Sequence, residues 1–168
     1  MRRFAATGMP DRDWWDALWP APDAVLRVLG MREGMSVVDL CCGDGLFTTP
    51  LAKLVGDGEV VAVDLDNELL EAARIDAANA QQQNIKFVEA DAMDLDTLVD
   101  GAVDAVFISN TLHGVPDVTA LAARVRRVLP STGVFVVVNW WPRPRQETVV
   151  LGQPRAPRDD FRPNACRG

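Results

Sequence analysis

Two kinds of segment alternate along most of the chain: short apolar runs, and longer stretches in which apolar residues recur at helical spacing. The short runs are rich in Val, Ile and Phe and mostly continuously apolar, which is typical of strands buried on both faces of a sheet. Strands are therefore predicted over residues 36–40, 59–65, 85–90, 103–109 and 133–140.

Helices are predicted between these strands. "LFTTPLAKLV" ends at Gly56, "NELLEAARIDAANAQQQ" begins at Asn67 as a candidate N-cap, and "DVTALAARVRRVL" begins at Asp117 and stops at Pro130. A weaker, shorter helix is predicted in "MDLDTLV". Repeated strand–helix units of this kind predict an α/β fold, a three-layer αβα sandwich built on a mostly parallel sheet.

The pattern divides the chain into three parts. Residues 1–30 contain "DRDWWDALW" and "PDAVLRVLG", which are predicted to form two short N-terminal helices that act as a cap or lid. Residues 31–141 contain the alternating core. Residues 142–168 hold five of the eleven prolines and show no clear period, so a Pro/Arg-rich, largely irregular tail is predicted.

Composition narrows the function classes. The 168 residues fit one domain and carry a net charge of −7, divided into −10 over residues 1–141 and +3 over residues 142–168. An acidic body argues against nucleic acid as a partner, because such binding depends on neutralising phosphates. No apolar run approaches the roughly 20 residues that cross a bilayer. A cytoplasmic protein without a membrane partner is expected.

The cysteines do not indicate a metal site. Cys41 and Cys42 are adjacent, Cys166 is near the end, and the one histidine, His113, is distant in sequence. Structural zinc usually takes four Cys or His ligands, so no metal is expected. Cys41 and Cys42 are expected to be small apolar lining residues, because free cysteine is readily buried.

Candidate chemistry begins at "VVDLCCGDG", the first core strand and the turn into the first core helix. In an open parallel sheet, ligands bind beyond the carboxyl ends of the strands. Gly43 and Gly45 would let the backbone approach a ligand closely, because no Cβ intervenes. The N–H groups at the start of the next helix would favour negatively polarised ligand groups.

Two further acids stand where a nucleotide needs them. Asp64 ends the second strand, 21 residues after Gly43, where its carboxylate could accept hydrogen bonds from both ribose hydroxyls. Asp91 follows the third strand, where a carboxylate could accept from the exocyclic amine of adenine. Each acid alone is a weak signal, since aspartate often caps helices or forms turns. Their order on three consecutive strands predicts a nucleotide site.

The nucleotide could belong to either of two classes. A dinucleotide site prefers Gly-x-Gly-x-x-Gly, whereas "GDGLFT" places Thr48 at the third position. Asp39, near the end of the first strand, also has no role in such a site. A carboxylate there suits a ligand that carries an ammonium group, as S-adenosylmethionine does.

The sequence resembles the class I S-adenosylmethionine-dependent methyltransferases over roughly residues 20–140. Their first motif is acid-x-Gly-x-Gly-x-Gly, and "DLCCGDG" matches it except that Cys41 replaces the first glycine. The resemblance implies a Rossmann-like fold, S-adenosylmethionine as cofactor and S-adenosylhomocysteine as product. It also implies a set of cofactor-binding residues. Asp39 and Gly43 would lie near the methionine part, Asp64 on the ribose and Asp91 with Ala92 beside the adenine, and the set also includes Cys41, Gly45 and Leu65.

"SNTLHGVPD", residues 109–117, resembles the loop after strand four in family members that act on small molecules. Asn110 is predicted either to hold the amino group of the cofactor through a backbone or amide carbonyl, or to serve only as a turn residue. His113 is a candidate general base, because its ordinary pKa is close to working pH. Packing within the loop is the alternative for His113, since methyl transfer between positioned partners needs no protein base.

The function predicted from this resemblance is direct methyl transfer from S-adenosylmethionine to a small molecule. One alternative is an S-adenosylmethionine-binding module that lacks activity because its acceptor region is incomplete. Another is an NAD-dependent oxidoreductase. The five tryptophans are expected either to pack in the core or to cover the ligand: Trp14, Trp15, Trp19, Trp140 and Trp141.

The tail departs most from the family. Class I methyltransferases follow strand five with a helix and antiparallel strands, which the prolines of residues 142–168 disfavour. The C-terminal antiparallel strands are therefore predicted to be missing or reduced. "VFVVVNW" would then be an apolar sheet edge, and a homodimer is a possible consequence.

Overall fold

The computed structural model describes residues 12–139. Its strands are β1 (Ser36–Leu40), β2 (Glu59–Asp64), β3 (Ile85–Glu89), β4 (Ala105–Ser109) and β5 (Val134–Val138). Its α-helices are α1 (Arg12–Leu18), α2 (Pro22–Val28), α3 (Thr48–Val55), α4 (Asn67–Asn79) and α5 (Val118–Val128). Two 3₁₀ helices follow β3 and β4, at Ala92–Thr97 and Leu112–Gly114. All five predicted strands are confirmed, each within two residues at either end.

The sheet has the order β3-β2-β1-β4-β5, and its four pairings are all parallel. The chain passes from β1 outward to β3 and then returns to β4 on the other side of β1. Strand order therefore reverses between β1 and β4, which is where ligands bind in open α/β sheets. The predicted Rossmann-like α/β fold is confirmed for the described residues.

Helices cover both faces of the sheet. On one face, Trp15 and Leu26 pack with Leu51 of α3 against Val37 and Phe107. On the other face, α5 and the Ala92–Thr97 helix pack against alternate residues of β1, β2 and β4. The three-layer αβα arrangement follows from strands that are apolar on both faces.

Burial differs between central and edge strands. Apart from their terminal residues, β1, β2 and β4 are buried throughout. In β5, Val134 is 42% exposed and Val137 is 40% exposed, because within the described sheet β5 pairs with β4 alone. The expectation of strands buried on both faces holds for the centre of the sheet and not for its edges.

Helix ends follow local chemistry. Gly56 ends α3 and Asp117 caps α5, as predicted. The cap of α4 is Asp66, whose Oδ1 accepts the N–H groups of Glu68 and Leu69, so the prediction of Asn67 was wrong by one residue. The segment "MDLDTLV" contains a 3₁₀ helix rather than an α-helix.

The N-terminal helices are joined to the core through their aromatic residues. Trp15 is buried, and the ring centroid of Trp19 lies 5.5 Å from that of Phe47. Trp14 and Trp19 are partly buried against the same cluster, so these tryptophans take the core-packing role. Trp140, Trp141 and the predicted tail lie outside the described residues, and the division at residues 30 and 141 stays a prediction.

Asn84 fastens the turn between α3 and β2. Its Nδ2 lies 2.9 Å from the carbonyl oxygens of Ala52 and Gly56 and 3.1 Å from that of Gly58. One amide thus joins the last turn of α3 to the turn that leads into β2 and adds to the hydrogen bond that Ala52 already accepts from the Gly56 N–H. Within residues 12–139 no helix combines the length and apolar character that a membrane crossing needs.

Candidate functional site

The predicted acids meet at one edge of the sheet because they stand at the carboxyl ends of neighbouring parallel strands. Asp39 lies near the end of β1, Asp64 ends β2, and Asp91 lies two residues after the end of β3. All three carboxylates act on Cys41: burial raises the pKa of its thiol, and Asp64, Asp39 and Asp91 raise it further. The thiol is therefore protonated at neutral pH, as a lining residue would be.

The turn after β1 is fastened to the end of β2. The N–H of Gly43 donates to Asp64 Oδ2 at 2.8 Å, and the N–H of Asp66 donates to Asp64 Oδ1 at 3.0 Å. The N–H of Cys42 also donates to the carbonyl of Val63 at 3.0 Å. The Asp64 carboxylate therefore holds the two turns together and retains lone pairs for further donors.

The two turn glycines both have positive φ, +58° at Gly43 and +88° at Gly45. A Cβ added at Gly45 would stand 2.9 Å from the Cβ of Ala73 on α4. The missing side chain of Gly45 thus lets α4 approach the turn. Its predicted contact with a ligand stays a prediction.

Cys41 adopts φ +60°, a left-handed conformation that favours glycine. The motif that it departs from has glycine at this position. Cysteine there retains a Cβ that crowds the following carbonyl, so the backbone carries strain. Asn110 at the end of β4 also has positive φ, +56°, which asparagine tolerates better than other residues.

Asp39 is the one buried carboxylate of the motif. It is 2% exposed, and the hydroxyl of Thr48 donates to its Oδ2 at 2.6 Å. Burial raises the pKa of Asp39 to about 7, against the lowering effect of the Thr48 hydrogen bond, and the charge of Asp64 raises it further. Thr48 was identified in the sequence only as the residue at a position where glycine was expected, and no local pattern marked it as the partner of Asp39, nine residues away.

Asp44, between the two glycines, was missed as a candidate. Its Oδ1 is buried and has no hydrogen-bond partner within the described part of the chain. Arg12 of α1 places its Nη1 3.6 Å from Asp44 Oδ2 and 3.4 Å from the Asp44 carbonyl oxygen. A charged residue between the motif glycines was the available signal. A buried acceptor without a donor fits a site that takes a positively charged group.

The residues predicted at the adenine begin the Ala92–Thr97 helix. Asp91 caps this helix, with its Oδ1 accepting the N–H of Met93 at 2.9 Å. Ala92 is buried, and Leu65, just beyond β2, is half-buried. The assignment of these residues to the adenine stays a prediction.

The ends of β4 and β5 supply the other side of this edge. His113 is exposed on the second 3₁₀ helix, and its Nδ1 lies 3.3 Å from Asn139 Oδ1. The N–H of Asn110 donates to the carbonyl of Val138 at 2.7 Å, which ties the two loops together. Asn139 was not predicted from the sequence as a site residue, because its hydrogen-bond partner, His113, lies 26 residues away in the chain.

The charge of this edge decides which ligands suit it. Carboxylates of Asp39, Asp44, Asp64 and Asp91 surround the turn, which is unfavourable for the pyrophosphate of a dinucleotide and favourable for a cationic ligand. Among residues 12–139 no group of three or more His, Cys, Asp or Glu side chains is arranged to hold a metal ion.

Comparisons with known proteins agree with this geometry. Residues 37–133 match the family described as a methyltransferase domain. A demethylmenaquinone methyltransferase of Staphylococcus aureus (strain MRSA252) is 37% identical over 116 residues, which is 68% of this chain and 47% of that protein. The chain thus spans about half the length of the curated relatives it matches.

Solved structures give the same likeness. A SAM-dependent methyltransferase from Aquifex aeolicus has a TM-score of 0.68 and 26% identity, covering 79% of this chain and 69% of that one. The DhpI-SAM-HEP complex has a TM-score of 0.60 and 29% identity, covering 81% of this chain and 58% of that one.

Proposed function

Because this chain belongs to the methyltransferase domain family, we propose that it binds S-adenosylmethionine and transfers the methyl group to a small molecule. The proposal rests chiefly on one observation. The Gly43 N–H donates to the Asp64 carboxylate, so the turn after β1 and the acid that ends β2 form one unit at the edge where strand order reverses. Such a unit can face the methionine and ribose parts of one ligand at once.

Each part of the cofactor has a matching partner. Asp64 accepts hydrogen bonds from the ribose hydroxyls with Leu65 beside it, and Asp91 and Ala92 receive the adenine. Asp39, Cys41, Gly43, Gly45 and Asn110 surround the methionine part. The negative charge of the turn favours the sulfonium and ammonium groups of S-adenosylmethionine over the pyrophosphate of NAD.

When bound, S-adenosylmethionine supplies an electrophilic methyl group on a positively charged sulfur. The task of the chain is then to hold an acceptor in line with that methyl and to exclude water, which by itself supplies much of the acceleration. The loops after β4 and β5 receive the acceptor. His113 takes the proton that the acceptor loses, with Asn139 fixing the orientation of its ring.

The acceptor proposed first is the one in the relatives' name. Demethylmenaquinone methyltransferases of several Staphylococcus aureus strains are 36–37% identical to this chain. A reduced demethylmenaquinone has an electron-rich ring, which is the kind of nucleophile that a sulfonium methyl accepts. An acidic protein is also better suited to such a neutral acceptor than to nucleic acid.

Calorimetry with S-adenosylhomocysteine and NAD in parallel tests the cofactor. Binding of S-adenosylhomocysteine and not of NAD is expected, and the reverse result would revive the oxidoreductase alternative. Methyl transfer is then measured with radiolabelled S-adenosylmethionine and reduced demethylmenaquinone. Binding without transfer to this or any other small acceptor would favour a module that lacks activity.

A further inference from the structure

One carboxylate on the Ala92–Thr97 helix is held by two arginines of α5. Arg124 Nη1 donates to Asp96 Oδ1 at 2.5 Å, and Arg127 Nη1 donates to Asp96 Oδ2 at 2.7 Å. Each oxygen therefore has its own guanidinium, and these partners lie 28 and 31 residues away in the chain. The pKa of Asp96 is lowered, first by Arg127 and then by Arg124, so this carboxylate is charged throughout the neutral range.

Apolar packing accompanies these ion pairs. Leu95 is fully buried, and it belongs to the same cluster as Leu121, Val125 and Val128 of α5. Apolar packing holds the Ala92–Thr97 helix against α5, but it is not directional. The two charge-assisted hydrogen bonds are directional, so they fix where the short helix stands along α5.

A 3₁₀ helix of six residues depends on such support, because its hydrogen bonds have poor geometry and runs of this length are uncommon. The same helix begins at Asp91, the acid proposed to accept from the adenine amine. Asp91 is held to the helix by its own hydrogen bond to the Met93 N–H. Any shift of the helix therefore moves the Asp91 carboxylate with it.

We propose that Arg124 and Arg127, acting through Asp96, are positioning residues that set the Asp91 carboxylate against the purine and so determine selectivity for adenine. This inference rests on the proposed function. Partly exposed ion pairs contribute little to the free energy of folding. We therefore expect the loss of these two ion pairs to change ligand selectivity more than stability. A displacement of about 1 Å takes a hydrogen bond from about 2.9 Å to beyond its effective range.

The test compares two ligands that differ only at the purine. S-adenosylhomocysteine carries the 6-amino group, and S-inosylhomocysteine carries an oxygen there, which would face the carboxylate. The parent protein is expected to prefer the adenine ligand at least about tenfold in calorimetry, because a hydrogen bond to a charged acceptor is replaced by repulsion.

Replacing both arginines with glutamine is expected to reduce this preference at least about fivefold, because S-adenosylhomocysteine loses its hydrogen bond while S-inosylhomocysteine binds no more weakly than before. The matched control is Arg126→Gln, since Arg126 lies between them and, among residues 12–139, its Nη1 reaches the carbonyl of Leu129, at 3.5 Å, rather than Asp96. The control should keep the preference of the parent. If the double variant does not fold, Asp96→Asn tests the same link with an isosteric side chain.

The outcomes separate this inference from the proposed function. A folded double variant, or a folded Asp96→Asn variant, that keeps the preference within about twofold overturns the positioning role. A parent protein that binds both ligands equally overturns it together with the Asp91 assignment, while cofactor binding stands. A parent protein that binds neither ligand overturns the proposed function itself.

Discussion

The backbone N–H of Gly43 donates to the carboxylate of Asp64 at 2.8 Å, across 21 residues of sequence. This hydrogen bond joins the turn after β1 to the end of β2, and the other oxygen of Asp64 accepts the N–H of Asp66. Asp64 therefore has a structural role before any ligand is present. A variant at this position changes both the turn and the proposed ribose contact, and its tests must separate the two.

We expect Asp64→Ala to weaken S-adenosylhomocysteine binding at least about tenfold, because hydrogen bonds to a charged acceptor contribute roughly 1.5–3 kcal/mol each. Asp64→Asn retains one acceptor oxygen for Gly43 and should lose less affinity. Calorimetry measures both. Asp66→Ala is the control: it removes the cap of α4 and costs about 1 kcal/mol of stability, while affinity stays close to that of the parent. A folded Asp64→Ala variant with parental affinity would exclude the ribose contact.

The fold was predictable because strands buried on both faces have a distinctive composition, and parallel order brings their carboxyl ends together. Asp39, Asp64 and Asp91 could be placed at one edge for that reason. Three other contacts could not be predicted from the sequence: Thr48 with Asp39, Arg12 with Asp44, and the two arginines of α5 with Asp96. These contacts depend on how helices pack on the sheet, which local periodicity does not specify.

Gly45 offers a test of packing at the turn. Gly45→Ala places a Cβ 2.9 Å from the Cβ of Ala73 and requires an alanine at φ +88°, so a loss of roughly 2–3 kcal/mol is expected. Ala73→Gly removes the clash but costs about 1 kcal/mol by itself in the helix interior. The double variant should be more stable than the sum of the two single effects predicts, as chemical denaturation would measure. Strict additivity would show that Ala73 does not limit this position.

Variants at Cys41 measure the free-energy cost of a side chain at a position with positive φ. At φ +60°, Cys41→Gly should be more stable than Cys41→Ala by about 1 kcal/mol, because the pair differs only in the strained Cβ. At Cys42, which does not have positive φ, the order should reverse, since glycine gains only disorder in the unfolded chain. Urea denaturation of the four variants measures both differences. Alanine more stable than glycine at both positions would remove strain as an explanation.

Asp39 should make stability depend on pH. Burial raises its pKa to about 7, so the folded protein keeps a proton that the unfolded chain releases near its ordinary value of about 4. Between these values the folded state binds more protons, and stability therefore falls as pH rises, by up to about 1.4 kcal/mol per pH unit. Asp39→Asn removes this contribution. The test is the difference in unfolding free energy between parent and variant from pH 4.5 to 7.5, and parallel curves would contradict the assignment.

Cofactor binding should change with pH in the opposite sense, because a cationic ligand favours the charged form of Asp39. Affinity for S-adenosylhomocysteine, which keeps the ammonium group, is expected to rise as pH increases from 6 to 8 through the pKa of about 7. In Asp39→Asn the change should be smaller. Calorimetry in buffers of different ionisation enthalpy would also detect the proton that Asp39 releases on binding. Equal slopes in parent and variant would place the ammonium away from Asp39.

Variants of His113 and Asn139 test whether the chain supplies a general base for methyl transfer. With Nδ1–H donating to Asn139 Oδ1 at 3.3 Å, the basic lone pair of the imidazole is on Nε2. His113→Gln should then lower kcat about 10²- to 10⁴-fold with little change in KM. Asn139→Leu should lower kcat without affecting binding of S-adenosylhomocysteine. If His113→Gln retains parental kcat, transfer proceeds by positioning alone, and His113 is a loop residue.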